Sequence, residues 1–451
     1  ILGRKLLYLS PDLGHLIMDK QYIKTQIAMR QAEFPTDLKR RDRQLPVNEG
    51  KIVTVPGVRR CGKTSRMEVV VNDLLASGVA RKRFLWVSFD DERLVHMTSD
   101  ELGLIIDAYR EMYPDIDMAS VYMFFDEIQL IDGWEYFVMR LYKHYSKNIY
   151  ISGSNATMLS SELKSALRGW PDEEETLPLS FREYCEFKGI PTDSWLESDM
   201  AKLRNAFLQY NDDGGFPEVV LTEQSLAKVK ILQTYFDTML LKDLVEHYEL
   251  SNIEVLRYFL KRIMANLTKP TSIRAIHGDI KSRGLKVSKD DLYDWANHAC
   301  DIFMFLRVPN YSRSLKKIES SQPKYYCIDN GLRDAVLLPQ SNDDGKKLEN
   351  TVFIQLYRNR TPVDQIFYYH GKGECDFVVQ RGIEIDSLIQ VTWDMNDPET
   401  RRQEINGLVE ASDATGCRNL FIITNDTHED ISLDDGRTIH VLPAWFWLLD
   451  R

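Results

Sequence analysis

The residues with the clearest chemical potential are Gly57-Val58-Arg59-Arg60-Cys61-Gly62-Lys63-Thr64, which match G-x-x-x-x-G-K-[ST] and are followed by Ser65. This run follows an apolar strand and opens a helix, the context in which successive backbone N–H groups turn toward one centre and the helix N-terminus adds partial positive charge. Such a loop cradles phosphates. Gly57, Arg59, Arg60, Cys61, Gly62, Lys63, Thr64 and Ser65 are the candidate nucleotide contacts: Lys63 bridges the terminal phosphates, and the Thr64 hydroxyl faces a magnesium ion. Arg59 and Arg60 could meet phosphate, a neighbouring subunit or acidic faces of their own domain. The second candidate is Asp126-Glu127, which ends the apolar run Tyr122-Met123-Phe124-Phe125. A carboxylate at the C-terminal end of a neighbouring buried strand holds the magnesium of a P-loop site, which assigns Asp126 as metal partner. Glu127, one residue on, stands where a general base would polarise a water for attack on the γ-phosphate. A third segment, Ser152-Gly153-Ser154-Asn155, either senses that phosphate or caps a helix starting near Thr157.

These groups need a sheet to carry them. Short apolar runs at 52–55, 84–89, 122–125, 149–152 and 176–179 alternate with helical patterns at 63–75, 99–113, 134–145 and a helix through Leu167. This alternation predicts an α/β fold with a parallel sheet covered on both faces. The run 84–89, lying between the two motifs, fits the P-loop class with a catalytic glutamate. Helical patterns then continue to about residue 260, broken at Asp212-Asp213-Gly214-Gly215-Phe216-Pro217. Helices over 271–281 and 288–300, then extended runs 303–308 and 324–328 joined by a basic loop 313–317, outline a winged helix. A last α/β segment has a helix from Leu348, strands near Phe367, Phe377, Leu388 and Leu420, and a helix over 404–411.

Composition sets the outer limits. The 451 residues suggest about three domains. A hydrophobic content of 43% and a charged content of 28% exclude a disordered or fibrous chain. No run approaches the roughly 20 apolar residues of a membrane helix, so a cytoplasmic protein without membrane partners is expected. The six cysteines include no CxxC pair, which predicts isolated reduced thiols rather than zinc. The net charge is −11, yet residues 257–324 hold 14 Lys+Arg against 6 Asp+Glu, a local +8 that leaves −11 − 8 = −19 elsewhere. If the winged helix meets DNA, Arg313, Lys316 and Lys317 would contact phosphates. Asp290, Asp291 and Asp294 on the helix that would enter a groove oppose this, and packing or protein contact is the competing use of the fold.

The succession of motifs resembles the prokaryotic AAA-type ATPases that carry a C-terminal winged-helix and restriction-endonuclease-like domain of unknown function. The resemblance rests on the phosphate loop, on Phe125-Asp126-Glu127-Ile128-Gln129, Ile151-Ser152-Gly153-Ser154-Asn155, Pro178-Leu179-Ser180-Phe181-Arg182-Glu183-Tyr184 and Gly214-Gly215-Phe216-Pro217-Glu218. Further matches are Lys324-Tyr325-Tyr326-Cys327-Ile328-Asp329-Asn330-Gly331-Leu332 and Leu348-Glu349-Asn350. It implies ATP and magnesium as cofactors, adenine as the base, Lys63, Thr64, Asp126 and Glu127 in the catalytic roles, and Ser154 or Asn155 as sensor. Where the family has Gly-Arg before its Pro-Leu-Ser-Phe strand, this chain reads Arg168-Gly169-Trp170, so an arginine assisting at the γ-phosphate would be Arg168 or come from elsewhere. In the nuclease-like core the resemblance assigns Glu349 and Asp376 to the metal-gathering positions. The following E-x-K triplet is replaced by Gln390-Val391-Thr392, a poorer metal ligand set without the lysine. A retained fold with cutting lost is expected, with Glu374 or Glu384 as substitute ligands if cutting persists.

The expected organisation is an N-terminal extension (1–50), a P-loop ATPase domain (51–190), a helical lid (191–260), a winged-helix-like domain (261–335) and a degenerate nuclease-like domain (336–451). The expected function is magnesium-dependent ATP hydrolysis that switches the C-terminal module, on DNA, on a protein partner or on a second copy of the chain. A nucleotide-gated regulatory or DNA-binding protein with negligible turnover and an active ATP-dependent nuclease are the alternatives.

Overall fold

The computed structural model describes residues 20–94, 97–155, 171–337 and 343–449. Five parallel strands form the first sheet: β1 (Ile52–Pro56), β2 (Phe84–Ser88), β3 (Tyr122–Asp126), β4 (Ile149–Gly153) and β5 (Pro171–Glu173), in the order β2-β3-β4-β1-β5. Because side chains alternate along a strand, each strand feeds two cores. Val53, Val55, Trp86, Phe124 and Tyr150 pack on one face, and Ile52, Val87, Phe125 and Ile151 on the other. Helices Lys63–Ala76, Gly103–Met112 and Trp134–His144 connect the strands.

Two sequence expectations are corrected here. The fifth strand is Pro171–Glu173, not 176–179. Backbone pairing with β1 persists as far as Thr176, whose N–H reaches the Pro56 carbonyl at 2.7 Å. The chain then turns away at Pro178, and Leu179 donates its N–H to the Gly215 carbonyl at 2.7 Å. The strand that separates the two motif strands in space is β4; β2 lies at the sheet's edge.

Beyond the sheet, helices Phe181–Lys188, Glu197–Asp213, Pro217–Leu221 and Ser225–Thr238 lead into a π-helix over Met239–Glu246 and then helix Ile253–Ala265. Motifs that carried no obvious chemistry in the sequence meet one another here. Buried Asp329 accepts the Gly215 N–H at 2.6 Å and the Leu332 N–H at 2.9 Å. A Cβ on Gly214 would lie 2.1 Å from the Asp329 carboxylate, and one on Gly331 would lie 2.0 Å from the Asp213 carbonyl, so these glycines are required by close approach. Asn350, on helix Asp344–Asn359, closes both backbone groups of Cys327 at 2.8 and 2.9 Å, while Asn330 bonds Asn211, Thr351 and the Lys347 carbonyl. A buried polar network satisfied in this way fixes one arrangement of the helices it joins.

Helices Ile273–Ser282 and Lys289–Asp301 precede the antiparallel pair β6 (Phe305–Val308) and β7 (Lys324–Cys327). The connection between β6 and β7 is not a simple basic loop. It contains a helix, Leu315–Ser320, and leans on the last sheet: Tyr311 donates its N–H to the Tyr368 carbonyl at 2.6 Å, and Tyr311 and Ile318 join that sheet's core. The last sheet is mixed, ordered β12-β13-β11-β10-β9-β8, with β8 (Asp364–His370), β9 (Glu374–Arg381), β10 (Glu384–Val391), β11 (Leu420–Thr424), β12 (Glu429–Ser432) and β13 (Thr438–Pro443). One apolar cluster runs from Val58 and Cys61 beside the phosphate loop, through Phe216 and Phe259, to Phe377 and Leu449.

Several side chains bind the N-terminal segment into this framework, among them Gln31, Lys39 and Arg41. Arg41 donates two hydrogen bonds to the Glu183 carboxylate, at 2.7 and 2.9 Å, and others to the carbonyls of Cys61 (3.1 Å) and Leu177 (2.9 Å). Glu183 also forms a capping box with Ser180 at the start of its helix. Burial alone would raise the Glu183 carboxyl, but the Arg41 charge and hydrogen bonds overcome it and hold the group at about 2, down from an ordinary 4.5. A depressed carboxyl stabilises the fold above its unfolded pKa and stops doing so as pH falls through the folded value. Glu183→Gln should therefore lower unfolding free energy at pH 7 by about 3 kcal/mol, measured in urea. The deficit relative to wild type should shrink between pH 4.5 and 2; a deficit independent of pH would reject the ionic origin.

Candidate functional site

The phosphate loop is held open by backbone contacts. Gly57 donates its N–H to the Gly153 carbonyl at 3.3 Å, and a Cβ at Gly57 would lie 2.0 Å from the Thr176 carbonyl oxygen, so only glycine fits. Gly62 takes φ 97° to reverse the chain into helix Lys63–Ala76. Cys61 is buried, its thiol 3.0 Å from the Thr176 carbonyl, and packs rather than faces the cradle. Lys63 is buried, donating to the loop carbonyls of Gly57 (3.1 Å) and Val58 (3.3 Å), with its ammonium 3.4 Å from Glu127. Ser65 occupies the helix's first turn, and Arg60, at φ 69°, is exposed.

The acidic pair lies at the same sheet edge. The Thr64 hydroxyl donates to Asp126 at 2.7 Å, and the Ser152 hydroxyl bonds the other carboxylate oxygen. Burial, reinforced by the adjoining Glu127, pushes the Asp126 carboxyl up to about 6. Glu127 sits in left-handed backbone conformation at φ 52°. Its buried carboxyl would be raised, but Lys63 and then Arg59 hold it below its ordinary value, and Gln129 donates to it at 2.6 Å. The same Gln129 amide reaches the Ser154 hydroxyl at 3.2 Å. Asp126 and Thr64 thus present a carboxylate and a hydroxyl, the hard oxygen donors magnesium takes, to a helix N-terminus. Among the described residues no three His, Cys, Asp or Glu side chains group as a protein-only metal cage, and a P-loop ion needs none, since phosphate and water complete its shell.

The sequence left Arg59 open, and the structure resolves it: both oxygens of Asp243, in the π-helix, receive the Arg59 guanidinium at 2.7–3.2 Å. Asn155 meets the end of the same segment, 3.3 Å from the His247 ring and 3.2 Å from the Tyr248 hydroxyl. Arg168 and the helix expected near Thr157 lie outside the described residues. Sequence reasoning found no base-reading element; a cavity of about 360 Å³ adjoins Gly62 and Ser65, its apolar wall including Leu38, Val69 and Pro217 and its polar wall including Asp37, Arg41 and Arg66. Its walls come from four separate segments, 37–45, 62–69, Phe187 and 217–221, so no local motif signals it.

In the C-terminal part Glu349 and Asp376 do come together, around a cation the sequence reading had declared lost. Lys324, from β7, is 1% exposed and lies 3.3 Å from Glu349, 3.0 Å from Asp376 and 2.7 Å from Glu374. Tyr326 donates to Glu349 at 2.7 Å. Burial and then the Asp376 charge raise the Glu349 carboxyl. Gln390 accepts the Asp376 N–H at 3.1 Å and donates to Glu404 at 2.5 Å, a carboxyl that burial and then Asp376 push up to about 7. Thr392 is not in the cluster; its hydroxyl turns to the Asp394 carbonyl at 3.4 Å. Glu374 joins the cluster and exposed Glu384, at the far end of β10, does not. An open cavity of about 940 Å³ gives access, with Lys269 and Lys372 on its wall. Arg313 donates to the Ala414 carbonyl at 3.2 Å, and Lys316 and Lys317 are exposed on helix Leu315–Ser320 rather than on a strand-to-strand wing. All six cysteines are free thiols, and no described helix is long and apolar enough to cross a membrane.

Comparison with known proteins agrees with this geometry. Residues 49–185 match the family model described as AAA domain, and residues 204–343 match a domain of unknown function (DUF8612). Uncharacterized protein MJ1544 of Methanocaldococcus jannaschii is 31% identical over 447 residues, covering 96% of each chain. An uncharacterized protein of Haemophilus influenzae is 28% identical, covering 88% of this chain and 94% of the relative. The Aeropyrum pernix ORC1 protein, solved in complex with DNA, is 13% identical over 72% of this chain and 94% of that one, with a TM-score of 0.29. With the phosphate loop and acidic pair inside the matched AAA domain, this is a P-loop AAA protein, and the chain belongs to one family with MJ1544.

Proposed function

We propose that this protein hydrolyses ATP at the edge of its parallel sheet and uses the cycle to switch its C-terminal part. The observation that carries the reading is the convergence of Lys63, Thr64, Asp126 and Glu127, with the Lys63 ammonium 3.4 Å from Glu127 and the Thr64 hydroxyl 2.7 Å from Asp126. Backbone N–H groups of 57–64 and Lys63 bind the triphosphate, and the cavity beside Ser65 takes a purine base. Asp126 and Thr64 would hold magnesium, which when bound neutralises charge on the outer phosphates. Glu127, kept ionised by Lys63 and Arg59, accepts the proton of the attacking water, and Gln129 fixes its carboxylate. Ser154 and Asn155, bonded respectively to Gln129 and to the lid, serve as sensors. Helices Ile273–Ser282 and Lys289–Asp301 with β6 and β7 act as a winged-helix-like unit, and the last sheet as a nuclease-like unit. In that unit Lys324 fills the cation position, and cutting is lost.

A second reading, an active nuclease, is favoured by one observation: Lys324 supplies from β7 the lysine that the triplet 390–392 lacks.

Lys63→Ala should abolish magnesium-dependent phosphate release, and Glu127→Gln should lower turnover at least about a hundredfold while retaining ATP; turnover unchanged in both would remove the hydrolytic reading. Replacing Arg313, Lys316 and Lys317 by Glu should weaken duplex DNA binding and reduce the salt dependence, the log–log slope, by about 3. Wild type without affinity at low salt would assign the unit to protein contact instead. Incubated with supercoiled plasmid and magnesium or manganese, wild type should leave the DNA intact. Nicking that disappears in both Asp376→Ala and Lys324→Met would establish the second reading.

A further inference from the structure

The lid approaches the phosphate loop with an acid rather than a base. Segment 239–248 touches three places of different function. At Asp243 it receives Arg59 in a two-toothed pair, with side chains only 19% and 7% exposed. At His247 and Tyr248 it meets Asn155. Tyr248 also stacks on His298, with ring centroids 3.7 Å apart, and reaches Asp301 at 3.4 Å, both on helix Lys289–Asp301. The segment begins as an eight-residue π-helix continuing the α-helix Ser225–Thr238. Such i→i+5 winding is a rare alternative to the α-helix and concentrates where a function needs it. Arg59 itself lies in the field of Asp243, Glu127 and Asp90. A terminal phosphate seated at Lys63 adds further negative charge beside these carboxylates. Arg59 is then drawn to the phosphate, while Asp243, of like charge, is repelled from it.

Resting on the nucleotide reading above, we propose that Arg59 is shared between Asp243 and the terminal phosphate, so that the triphosphate loosens segment 239–248 and passes its presence to helix Lys289–Asp301. Arg59 is then a phosphate contact supplied by the loop's own chain, and Asp243 is a positioning residue that sets how much of Arg59 the nucleotide can recruit. Release of Asp243 lets the π-helix rewind, which turns His247 and Tyr248 against Asn155 and His298. The device distinguishes ATP from ADP, because the diphosphate lacks the group that competes for Arg59.

The test is calorimetric titration of the full chain with magnesium and either ATPγS or ADP, on wild type, Arg59→Ala, Asp243→Asn and the double variant. Asp243→Asn should tighten ATPγS by about tenfold, the size of one charge-assisted hydrogen bond, and shift ADP by less than about twofold. Arg59→Ala should weaken ATPγS by about tenfold or more with ADP nearly unchanged, and adding Asp243→Asn to it should tighten ATPγS far less than the same change does in wild type. Hydrogen exchange should show ATPγS altering amides of 239–248 and 289–301 in wild type but not in Arg59→Ala. The sharing is overturned if Asp243→Asn moves both nucleotides equally, or tightens ATPγS as much without Arg59 as with it. Asp243→Glu, which keeps the charge, should restore wild-type discrimination; a Glu variant behaving like Asn would also overturn it. If wild type binds neither nucleotide, the nucleotide reading fails first; binding by wild type with silent Arg59 and Asp243 variants removes the sharing alone.

Discussion

A loop that turns its amides inward can bind phosphate only if something outside it prevents collapse onto its own carbonyls. In this protein that constraint is met by backbone. The Thr176 carbonyl fills the space a Cβ would need at Gly57, and Arg41 holds the Cys61 carbonyl from outside. Arg41 in turn is fixed by Glu183, so the phosphate loop, the N-terminal segment and helix Phe181–Lys188 share one ionic centre. Loss of any partner leaves a buried charge uncompensated, which costs more than the pair itself contributes.

The same economy of contacts extends to the rest of the chain. The Gly214-Gly215 turn, Asp329, Asn330 and Asn350 form a buried polar joint between the lid helices and helix Asp344–Asn359. The π-helix between Met239 and Glu246, a winding rare among helices, lies outside this joint. The phosphate loop is thus tied to Glu183 through Arg41 and to Asp243 through Arg59.

Charge placement follows a second pattern, in which cations arrive from distant segments to neutralise clustered carboxylates. Arg59 reaches across 184 positions to Asp243, and Arg41 across 142 to Glu183. Lys324, on a strand remote in sequence from Glu374 and Asp376, sits between them and Glu349. Burial opposes ionisation of the acids in each case: the Arg41 charge outweighs it at Glu183, whereas the Asp243, Glu349 and Asp376 carboxyls stay above their ordinary range even beside their cations.

Local chemistry was legible without coordinates. The phosphate loop, the acidic pair and the strands carrying them are encoded in contiguous residues, because backbone cradles and strand ends depend on neighbours within a few positions. The parallel sheet followed from uninterrupted apolar strands alternating with helices, and only its last strand was misplaced, since Pro178 ends pairing that composition alone would continue. What the sequence could not decide was every relation set by packing. These are the partner of Arg59, the cavity walled by Leu38, Val69 and Pro217, the helix inside the expected wing, and the lysine delivered to Glu349 and Asp376 from β7. Such contacts join residues far apart in the chain, and residue type and spacing carry no record of which distant surfaces the fold will press together; only the tertiary structure does.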